Sequence, residues 1–234
     1  MRTLGLIGGT SWHSTEIYYR TLNSIINEHF GNNTNPPLRI VNLNQHELHA
    51  LQSRGDWSTI SQIYCSAARD LSSIGCEGIL LCANTPHIIF DEVSKASPAK
   101  ILHIADAAGQ RAKQLGLRKL GILGTIYTIR HDLYGKRLRD GCGLETIVAD
   151  AQDNDRIEQV IKEELTFGIV KEESRDLLNA IISDFRGKGA DGVVLACTEL
   201  SLLTDENSKV VPLLDTTDLH CAMGASFILD EAFS

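Results

Sequence analysis

The chain has 234 residues, of which 43% are hydrophobic and 22% charged, and its formal net charge is −8 at pH 7. This is an ordinary globular composition, long enough for one large domain or two small ones. The acidic balance argues against nucleic acid or an acidic membrane surface as a partner. It does not exclude an anionic substrate, since backbone N–H groups bind anions whatever the net charge.

The six cysteines show neither CxxC pairs nor a spacing with histidines that would form a zinc site. A chain of this length folds without disulfide staples, so we expect free thiols in a reducing compartment. From Met1 onward the sequence lacks a separate apolar signal stretch, and no segment approaches transmembrane length. We therefore predict a cytoplasmic protein without a metal.

The first half opens with an apolar strand at 3–7, a turn at 8–11 (Gly-Gly-Thr-Ser) and a helix over 12–26. A strand, a glycine turn and a helix in this order point backbone N–H groups at an anion. The turn matches neither the dinucleotide GxGxxG nor the Walker A motif, which disfavours nucleotide binding.

A second strand follows at 38–43, and polar residues 44–49 come after it with no element predicted. The remaining spacing predicts a helix, a buried strand, a short helical stretch and a last strand. These elements fall at 58–73, 78–81, 86–92 and 100–104.

The pattern then restarts, because residues 118–125 echo 2–9 at an offset of 116, and Tyr134 falls on Tyr18 inside the next helix. Two helices, a buried strand and a closing strand follow at 157–167, 174–185, 192–196 and 210–214. An internal duplication of this size, with alternating strands and helices, predicts an α/β fold of two pseudo-symmetric parallel-sheet domains facing each other across a central cleft. The first domain comprises 1–104 plus a returning C-terminal helix in 215–234, and the second comprises 105–214.

Two equivalent strand ends carry the candidate chemistry, since 78–85 and 192–199 align at an offset of 114 and place Ala83 on Cys197. Sites in open α/β sheets lie at the carboxyl ends of strands. Cys197 is the catalytic candidate, because N–H groups and the dipole of a following helix favour a thiolate there. The alternative is a small buried hydrophobic residue, which is how we interpret Cys82, whose side chain points to the other face of its strand.

Neutral donors around both strand ends would form a carboxylate cradle without a metal. Helix capping is the alternative role for each of these residues, and the two roles are compatible. His87 and Glu199 are supporting candidates, whereas Asp106 and Asp218 are interpreted as caps and Trp12, Tyr18 and Tyr19 as packing residues. The predicted binding residues are Gly9, Thr10, Ser11, Asn84, Thr85, Thr125, Thr128 and Thr198.

Four motifs, at 8–19, 84–87, 103–106 and 197–199, resemble the aspartate/glutamate racemase superfamily of pyridoxal-independent amino-acid racemases, closest to its broad-specificity branch. The resemblance runs nearly end to end. It implies no cofactor, an amino-acid or dicarboxylate substrate, a homodimer, and two cysteines that exchange the α-proton from opposite faces of Cα. It also implies that the α-carboxylate rests on the Asn-Thr and Cys-Thr strand ends.

The sequence departs from this family pattern at three places. The first cysteine is replaced by Ala83, the turn has Thr10 where methionine is common, and Glu47 and Thr166 align where Arg and Lys bind acidic side chains. The third departure argues against a strict preference for aspartate.

Three explanations fit Ala83, because a methyl group cannot exchange a proton. The branch tolerates small residues here and leaves one-base chemistry through Cys197, or a cysteine was replaced to trap a substrate complex, or the activity has drifted. A drifted enzyme would be a single-cysteine decarboxylase or isomerase of small dicarboxylates, and a protein without activity would bind amino acids only. The first explanation ranks highest, and the leading hypothesis is an amino-acid racemase.

Overall fold

A computed structural model describes residues 1–204 and 210–233 of the chain. The chain forms two compact units, one of Met1–Ile104 with His220–Phe233 and the other of Ala105–Leu219. The backbone therefore passes between the units twice, at 104/105 and at 219/220. From the sequence, the second passage was predicted at 214/215.

The first unit is built on a parallel sheet whose four strands, among the described residues, have the order β2-β1-β3-β4. Strand β1 pairs with β2 and β3 on either side, with Ile7 opposite both Val41 and Leu81. A 3-10 helix, Thr85–Ile89, follows β3 after a bend at residues 82–84. The elements are β1 (Leu4–Gly8), α1 (Trp12–Phe30), β2 (Leu38–Asn42), α2 (Gln45–Ser53), α3 (Trp57–Ser73), β3 (Gly78–Leu81), α4 (Phe90–Ala96) and β4 (Lys100–Leu102).

Helix α5 (Ile104–Gln114) leads into the second unit, whose parallel sheet has the strand order β6-β5-β7-β8. Strand β5 pairs with β6 and β7, and Gly124 lies opposite Ala196. Short 3-10 helices follow α8 and β7. The elements are β5 (Lys119–Gly124), α6 (Ile126–Arg130), α7 (Gly135–Cys142), β6 (Glu145–Val148), α8 (Ala151–Glu163), α9 (Glu172–Gly187), β7 (Gly192–Ala196), β8 (Leu213–Asp215) and α10 (Thr216–Leu229).

The two sheets share one topology, in which the second strand of each unit lies at an edge and the first strand lies beside it. All the pairings are parallel, as strands joined through helices require. The predicted fold class of two parallel-sheet α/β domains is confirmed. Across the described ranges, every helix is too short or too polar to span a bilayer.

The core of each unit follows from the alternation of side chains along its central strands. In the first unit, Ile79 and Leu81 face a buried cluster that includes Ile60 and Leu71 of α3. In the second unit, Val193 and Leu195 face a cluster formed with α8 and α9, and Cys197 continues the same face. Ala83 lies two residues after Leu81, in the bend that follows β3.

The sequence missed α2, because the segment 44–53 is mostly polar and buries only Leu48 and Leu51. Two local features nevertheless start the helix. The Asn44 side chain accepts a hydrogen bond from the N–H of His46, and Glu47 lies in the positively polarised first turn.

The prediction that Tyr134 lies inside a helix equivalent to α1 is wrong. Helix α6 ends at Arg130, and Tyr134 lies in the turn before α7. Asp132 has a φ of 46°, which interrupts the helix. Strand β6 was not predicted. The strand expected at 210–214 begins only at Leu213, after Pro212, which lacks an N–H group for the ladder.

Candidate active site

The glycine turn after β1 is shaped by a close backbone approach at Gly9. Gly9 has a φ of +88°, and a Cβ there would lie 2.0 Å from the carbonyl oxygen of Leu43. Its N–H donates to Oγ1 of Thr15 over 3.0 Å. The turn is therefore a fixed feature of the carboxyl edge of the sheet, and the Gly9 N–H is already engaged within the protein.

Thr10 and Ser11 also make internal bonds. The hydroxyls of Thr10 and Tyr64 are hydrogen-bonded, and Thr10 is buried. Ser11 caps α1, accepting from the N–H of Ser14 over 3.4 Å. The capping role foreseen for this turn is present, and the turn is preorganised before any ligand arrives.

The end of β3 carries Ala83, Asn84 and Thr85, which lie beside the glycine turn because β1 and β3 are neighbours. Ser14 ties the two together, since its hydroxyl donates to the carbonyl oxygen of Cys82 over 2.7 Å. Asn84 is buried, whereas Ala83 and Thr85 are half-buried. The structure thus places the predicted residues of the first unit along adjacent strand ends.

His87 contacts backbone atoms at this strand end. Its Nδ1 lies 3.0 Å and 3.1 Å from the carbonyl oxygens of Ala83 and Asn84, and its Nε2 lies 3.2 Å from the backbone N–H of Ile104. An imidazole with its proton on Nδ1 satisfies all three contacts, donating to the carbonyls and accepting from the amide. His87 therefore positions Ala83 and Asn84 and caps the start of α5.

A second histidine, His220, lies buried beside His87, with ring centroids 5.5 Å apart. Its Nδ1 lies 2.8 Å from the Tyr18 hydroxyl and its Nε2 lies 2.9 Å from the carbonyl oxygen of Leu102. Burial, together with the charge that His87 can carry, lowers the pKa of His220 to about 3. His220 is a neutral structural link between α10, α1 and β4, which the sequence did not single out.

In the second unit, the β5 end is a capped turn. Thr125 begins α6, and its Oγ1 accepts from the N–H of Thr128 over 3.4 Å. The next amide, of Ile126, donates to Oε2 of Glu158 over 2.8 Å. Glu158 is buried on α8 and also bonds Lys162 over 2.8 Å. The sequence missed Glu158, because its place in the site depends on how α8 packs.

Cys197 ends the neighbouring strand β7 and is 7% exposed. Its Sγ lies 3.0 Å from Oε2 of Glu199, and the same oxygen accepts from the Thr198 hydroxyl over 2.6 Å. The Glu199 carboxylate is therefore placed to accept the proton of the Cys197 thiol. The predicted trio at this strand end is brought together.

The ionisation predicted for Cys197 is wrong. Burial, the charge of Glu199 and the hydrogen bond that Glu199 accepts raise the pKa of the Cys197 thiol well above its usual range, and Glu158 adds to this. The helix that follows is a 3-10 helix of six residues, Thr198–Leu203, too short for the favourable dipole expected from sequence. Cys197 therefore rests as a thiol.

Cys82 is 1% exposed, and burial raises the pKa of its thiol, which confirms its core position. No disulfide joins any of the six cysteines in the described part of the chain. Within the same ranges, no three His, Cys, Asp or Glu side chains are arranged to hold a metal ion.

Three side chains have roles other than those expected. Asp106 forms a bidentate ion pair with Arg137, with N–O distances of 2.6 and 2.7 Å, in place of a cap. Trp12 and Tyr19 were expected to pack, but they are 58% and 50% exposed. Tyr18, in contrast, is fully buried as predicted.

A cavity of about 670 Å³ opens beside the glycine turn, over the ends of β1 and β2. Trp12 and the first turns of α2 form its walls, and the Trp12 N–H donates to Oε1 of Gln45 over 3.2 Å. The residues that line it include Trp12, Asn42, Gln45, His46 and His49, with Gly9 at the edge.

Comparison with known proteins places this geometry in a family. The profile of a family described as Asp/Glu/Hydantoin racemase matches residues 7–224 of the chain. A broad-specificity amino-acid racemase, RacX of Bacillus subtilis (strain 168), is 25% identical over 164 residues, which is 69% of each chain.

Two solved structures are similar along nearly the whole chain. A candidate Asp/Glu racemase from Yersinia pestis is 38% identical with a TM-score of 0.93, over 98% of this chain and 100% of that one. An aspartate racemase homologue from Pyrococcus horikoshii OT3 is 32% identical with a TM-score of 0.86, again over 98% of this chain and 100% of that one.

Proposed function

Because the chain belongs to the Asp/Glu/hydantoin racemase family, we propose that it is an amino-acid racemase that needs no cofactor and uses Cys197 as its acid/base. The observation that carries this proposal is the 3.0 Å hydrogen bond from the buried Cys197 thiol to Glu199. A general acid/base must exchange its proton within hydrogen-bond reach, and this pair holds both partners at the end of a central strand.

The raised pKa of Cys197 suits the abstraction of a very weakly acidic α-proton. A thiolate with a high pKa is a strong base, although it forms only when Glu199 takes the thiol proton. In the proposed step the Cα–H bond breaks, an S–H bond forms on Cys197, and the electron pair moves into the carboxylate of the substrate as an enediolate. A donor on the opposite face of Cα returns a proton to the carbon, and the proton held by Glu199 then passes to that donor, which restores the resting thiol and the Glu199 carboxylate.

Ala83 stands at the position of the partner cysteine and cannot supply that second proton. We propose that water or a neighbouring group supplies it, so that exchange is faster from one enantiomer than from the other. Asn84, Thr85, Thr198 and the turns at Gly9–Ser11 and Thr125–Thr128 are proposed to bind the substrate, with His87 and Glu199 in support. A cytoplasmic homodimer is part of the same proposal, and light scattering on the purified protein tests the dimer.

Racemisation followed by chiral chromatography tests the proposal, using a panel of L- and D-amino acids. Cys197→Ser should abolish the interconversion, because a serine hydroxyl is too weak an acid to cycle as the thiol does. Cys65→Ser is the matched control, since Cys65 lies on α3 and its Sγ contacts the Ser61 hydroxyl over 3.8 Å. Equal loss in both variants, or no interconversion of any amino acid by the unaltered protein, would remove the proposal.

The resting thiol also supports a second candidate, a decarboxylase of small dicarboxylates. A single protonated cysteine is sufficient to deliver one proton to an enediolate left after loss of CO₂. Release of CO₂ from substituted malonates, lost in Cys197→Ser, would support this candidate. If ligands bind without any turnover and Cys197→Ser keeps their full affinity, the protein is an amino-acid-binding protein instead.

A further inference from the structure

A pair of hydrogen-bonded hydroxyl groups lies at the carboxyl edge of the first sheet. Thr10 belongs to the glycine turn after β1, Tyr64 belongs to α3, and both side chains are buried. Their hydroxyl oxygens are hydrogen-bonded, and either of them can be the donor. Two hydroxyl groups carry two protons, of which the mutual bond uses one, so the pair can donate the other to a third group.

The pair lies near Ala83, the position that lacks an exchangeable proton. Strands β1 and β3 are paired neighbours, so the glycine turn and Ala83 follow adjacent strand ends. Two hydrogen bonds join these ends, because the Cys82 N–H donates to the carbonyl oxygen of Ile7 over 2.9 Å and the Ser14 hydroxyl donates to the carbonyl oxygen of Cys82 over 2.7 Å. Thr10 therefore carries a hydroxyl next to the strand end where a thiol is missing.

The protonation of Tyr64 is set by its surroundings. Burial raises the pKa of the Tyr64 phenol, the bond to Thr10 lowers it, and the charge that Cys82 can carry raises it again. Burial has the largest effect, so the phenol keeps its proton at every working pH. The influence of Cys82 also places the phenol near the end of β3.

We infer that Thr10 is the residue that protonates the opposite face of Cα, in place of a cysteine at position 83, and that Tyr64 acts through Thr10 by replacing its proton. The inference rests on the proposed function and identifies the donor. The Thr10 O–H bond breaks and a Cα–H bond forms with the electron pair of the enediolate, while the Tyr64 proton moves to the Thr10 oxygen. Tyr64 is then a phenolate, which the proton held by Glu199 neutralises by way of solvent. The transfer is favourable because an enediolate is a far stronger base than a phenolate.

The same pair gives a reason for unequal exchange from the two enantiomers. Two neutral hydroxyl groups can give a proton to the enediolate, but neither can remove one from Cα until it has lost its own. Burial opposes the ionisation of Tyr64 at rest and raises its pKa. Removal of the α-proton from the Thr10 side should therefore be slow, whereas Cys197 has Glu199 as its base.

Deuterium exchange at Cα and inversion, measured together, test the inference. Each enantiomer is incubated separately in D₂O, NMR measures deuterium at Cα, and chiral chromatography measures the opposite enantiomer. Thr10→Val keeps the shape of the side chain and removes the hydroxyl, so inversion should fall about 10²-fold. Exchange with retention of configuration should persist in this variant, because Cys197 is unaltered.

Three further variants separate proton transfer from packing. Thr10→Ser retains the hydroxyl and should keep most of the inversion, whereas Tyr64→Phe removes the proton that replaces the Thr10 proton and should lower inversion about tenfold. Adding Ala83→Cys to Thr10→Val should restore inversion, because a thiol then acts as the donor. Thr21→Val and Tyr19→Phe, both on α1, are the matched controls and should leave both rates unchanged.

Unchanged inversion in Thr10→Val would assign the proton to water and overturn the inference. It would equally be overturned if exchange and inversion fall together in Thr10→Val and stay low when Ala83→Cys is added, or if the unaltered protein exchanges without inverting. If the unaltered protein shows neither exchange nor inversion with any amino acid, the proposed racemase is wrong and the inference falls with it.

Discussion

The Sγ atom of Cys197 lies 3.0 Å from Oε2 of Glu199, so the thiol donates its proton toward a carboxylate two residues away. This contact gives Cys197 two properties at once. It keeps the thiol protonated at rest, and it supplies the group that can take the proton when the thiol must act as a base.

Replacing Glu199 with Gln removes the negative charge and weakens the acceptor for the thiol proton. Both changes should lower the pKa of Cys197, so the pH midpoint of its alkylation by iodoacetamide should move down, as peptide mass spectrometry can measure. Racemase activity should nevertheless fall by about 10²-fold, because the general base for the thiol is lost. Glu173→Gln, on the exposed first turn of α9, is the control. A midpoint that stays in place or rises would show that Glu199 does not govern this thiol.

Glu158 should have two effects. Its charge should raise the pKa of Cys197, and its hydrogen bond with the Ile126 N–H should stabilise the turn after β5. Glu158→Gln keeps an oxygen that can accept from the Ile126 N–H but loses the charge, so it should lower the pKa of Cys197 less than Glu199→Gln does. Glu158→Ala should also reduce the free energy of unfolding by about 1–3 kcal/mol, since a partly buried amide loses its partner. Urea denaturation of the two variants distinguishes the effects, and equal stabilities would argue against the turn-holding role.

His220 should make the protein sensitive to acid. Its pKa is about 3 in the folded protein against an ordinary value of 6.5, so the unfolded chain binds more protons between these two values. The His220 contribution to stability is therefore fully present above about pH 6.5 and is lost as the pH falls toward 3.

His220→Gln should be less stable than the unaltered protein at pH 7, because the contacts to Tyr18 and Leu102 are remade imperfectly. Its free energy of unfolding should, however, fall less steeply between pH 6.5 and 4. Urea titrations at several pH values measure both slopes. Identical slopes would show that protonation of His220 does not cause the loss of stability in acid.

Two glycines with nearly the same φ allow the cost of a left-handed conformation to be measured apart from the cost of a steric clash. Gly9 and Gly75 have φ values of +88° and +87°, but only at Gly9 would a Cβ meet another atom, the Leu43 carbonyl oxygen. Gly75→Ala should cost about 1 kcal/mol of stability, from the left-handed conformation alone. Gly9→Ala should cost more than about 3 kcal/mol and disturb the turn. Thermal unfolding measures the difference, and equal costs would show that the close approach is not essential.

The sequence was sufficient to predict the fold because its strongest signals are local and repeated. Short apolar runs such as Gly78–Leu81 and Gly192–Ala196, separated by helices, specify a parallel sheet in each half. The same runs located the candidate site, since their polar ends fall at the carboxyl edge of each sheet. Elements with weak apolar patterns were missed, as α2 shows with two buried leucines among polar neighbours.

The ionisation state of the site could not be predicted from the sequence in the same way. The ionisation of Cys197 depends on its burial against α8 and α9 and on the charge of Glu158, and tertiary packing sets both. Likewise, the link from Tyr18 through His220 to Leu102 joins three elements far apart in the sequence. Spacing identifies which residue types reach a strand end, but the environment that tunes them forms only on folding.

Deuterium exchange at Cα, followed by NMR in D₂O from each enantiomer separately, tests the role of Cys197 most directly. The unaltered protein should exchange one enantiomer faster than the other, Cys197→Ser should exchange neither, and Ala83→Cys should exchange both at comparable rates. Exchange that persists in Cys197→Ser, or its absence from both enantiomers in the unaltered protein and in Ala83→Cys, would contradict the assignment of Cys197 as the acid/base.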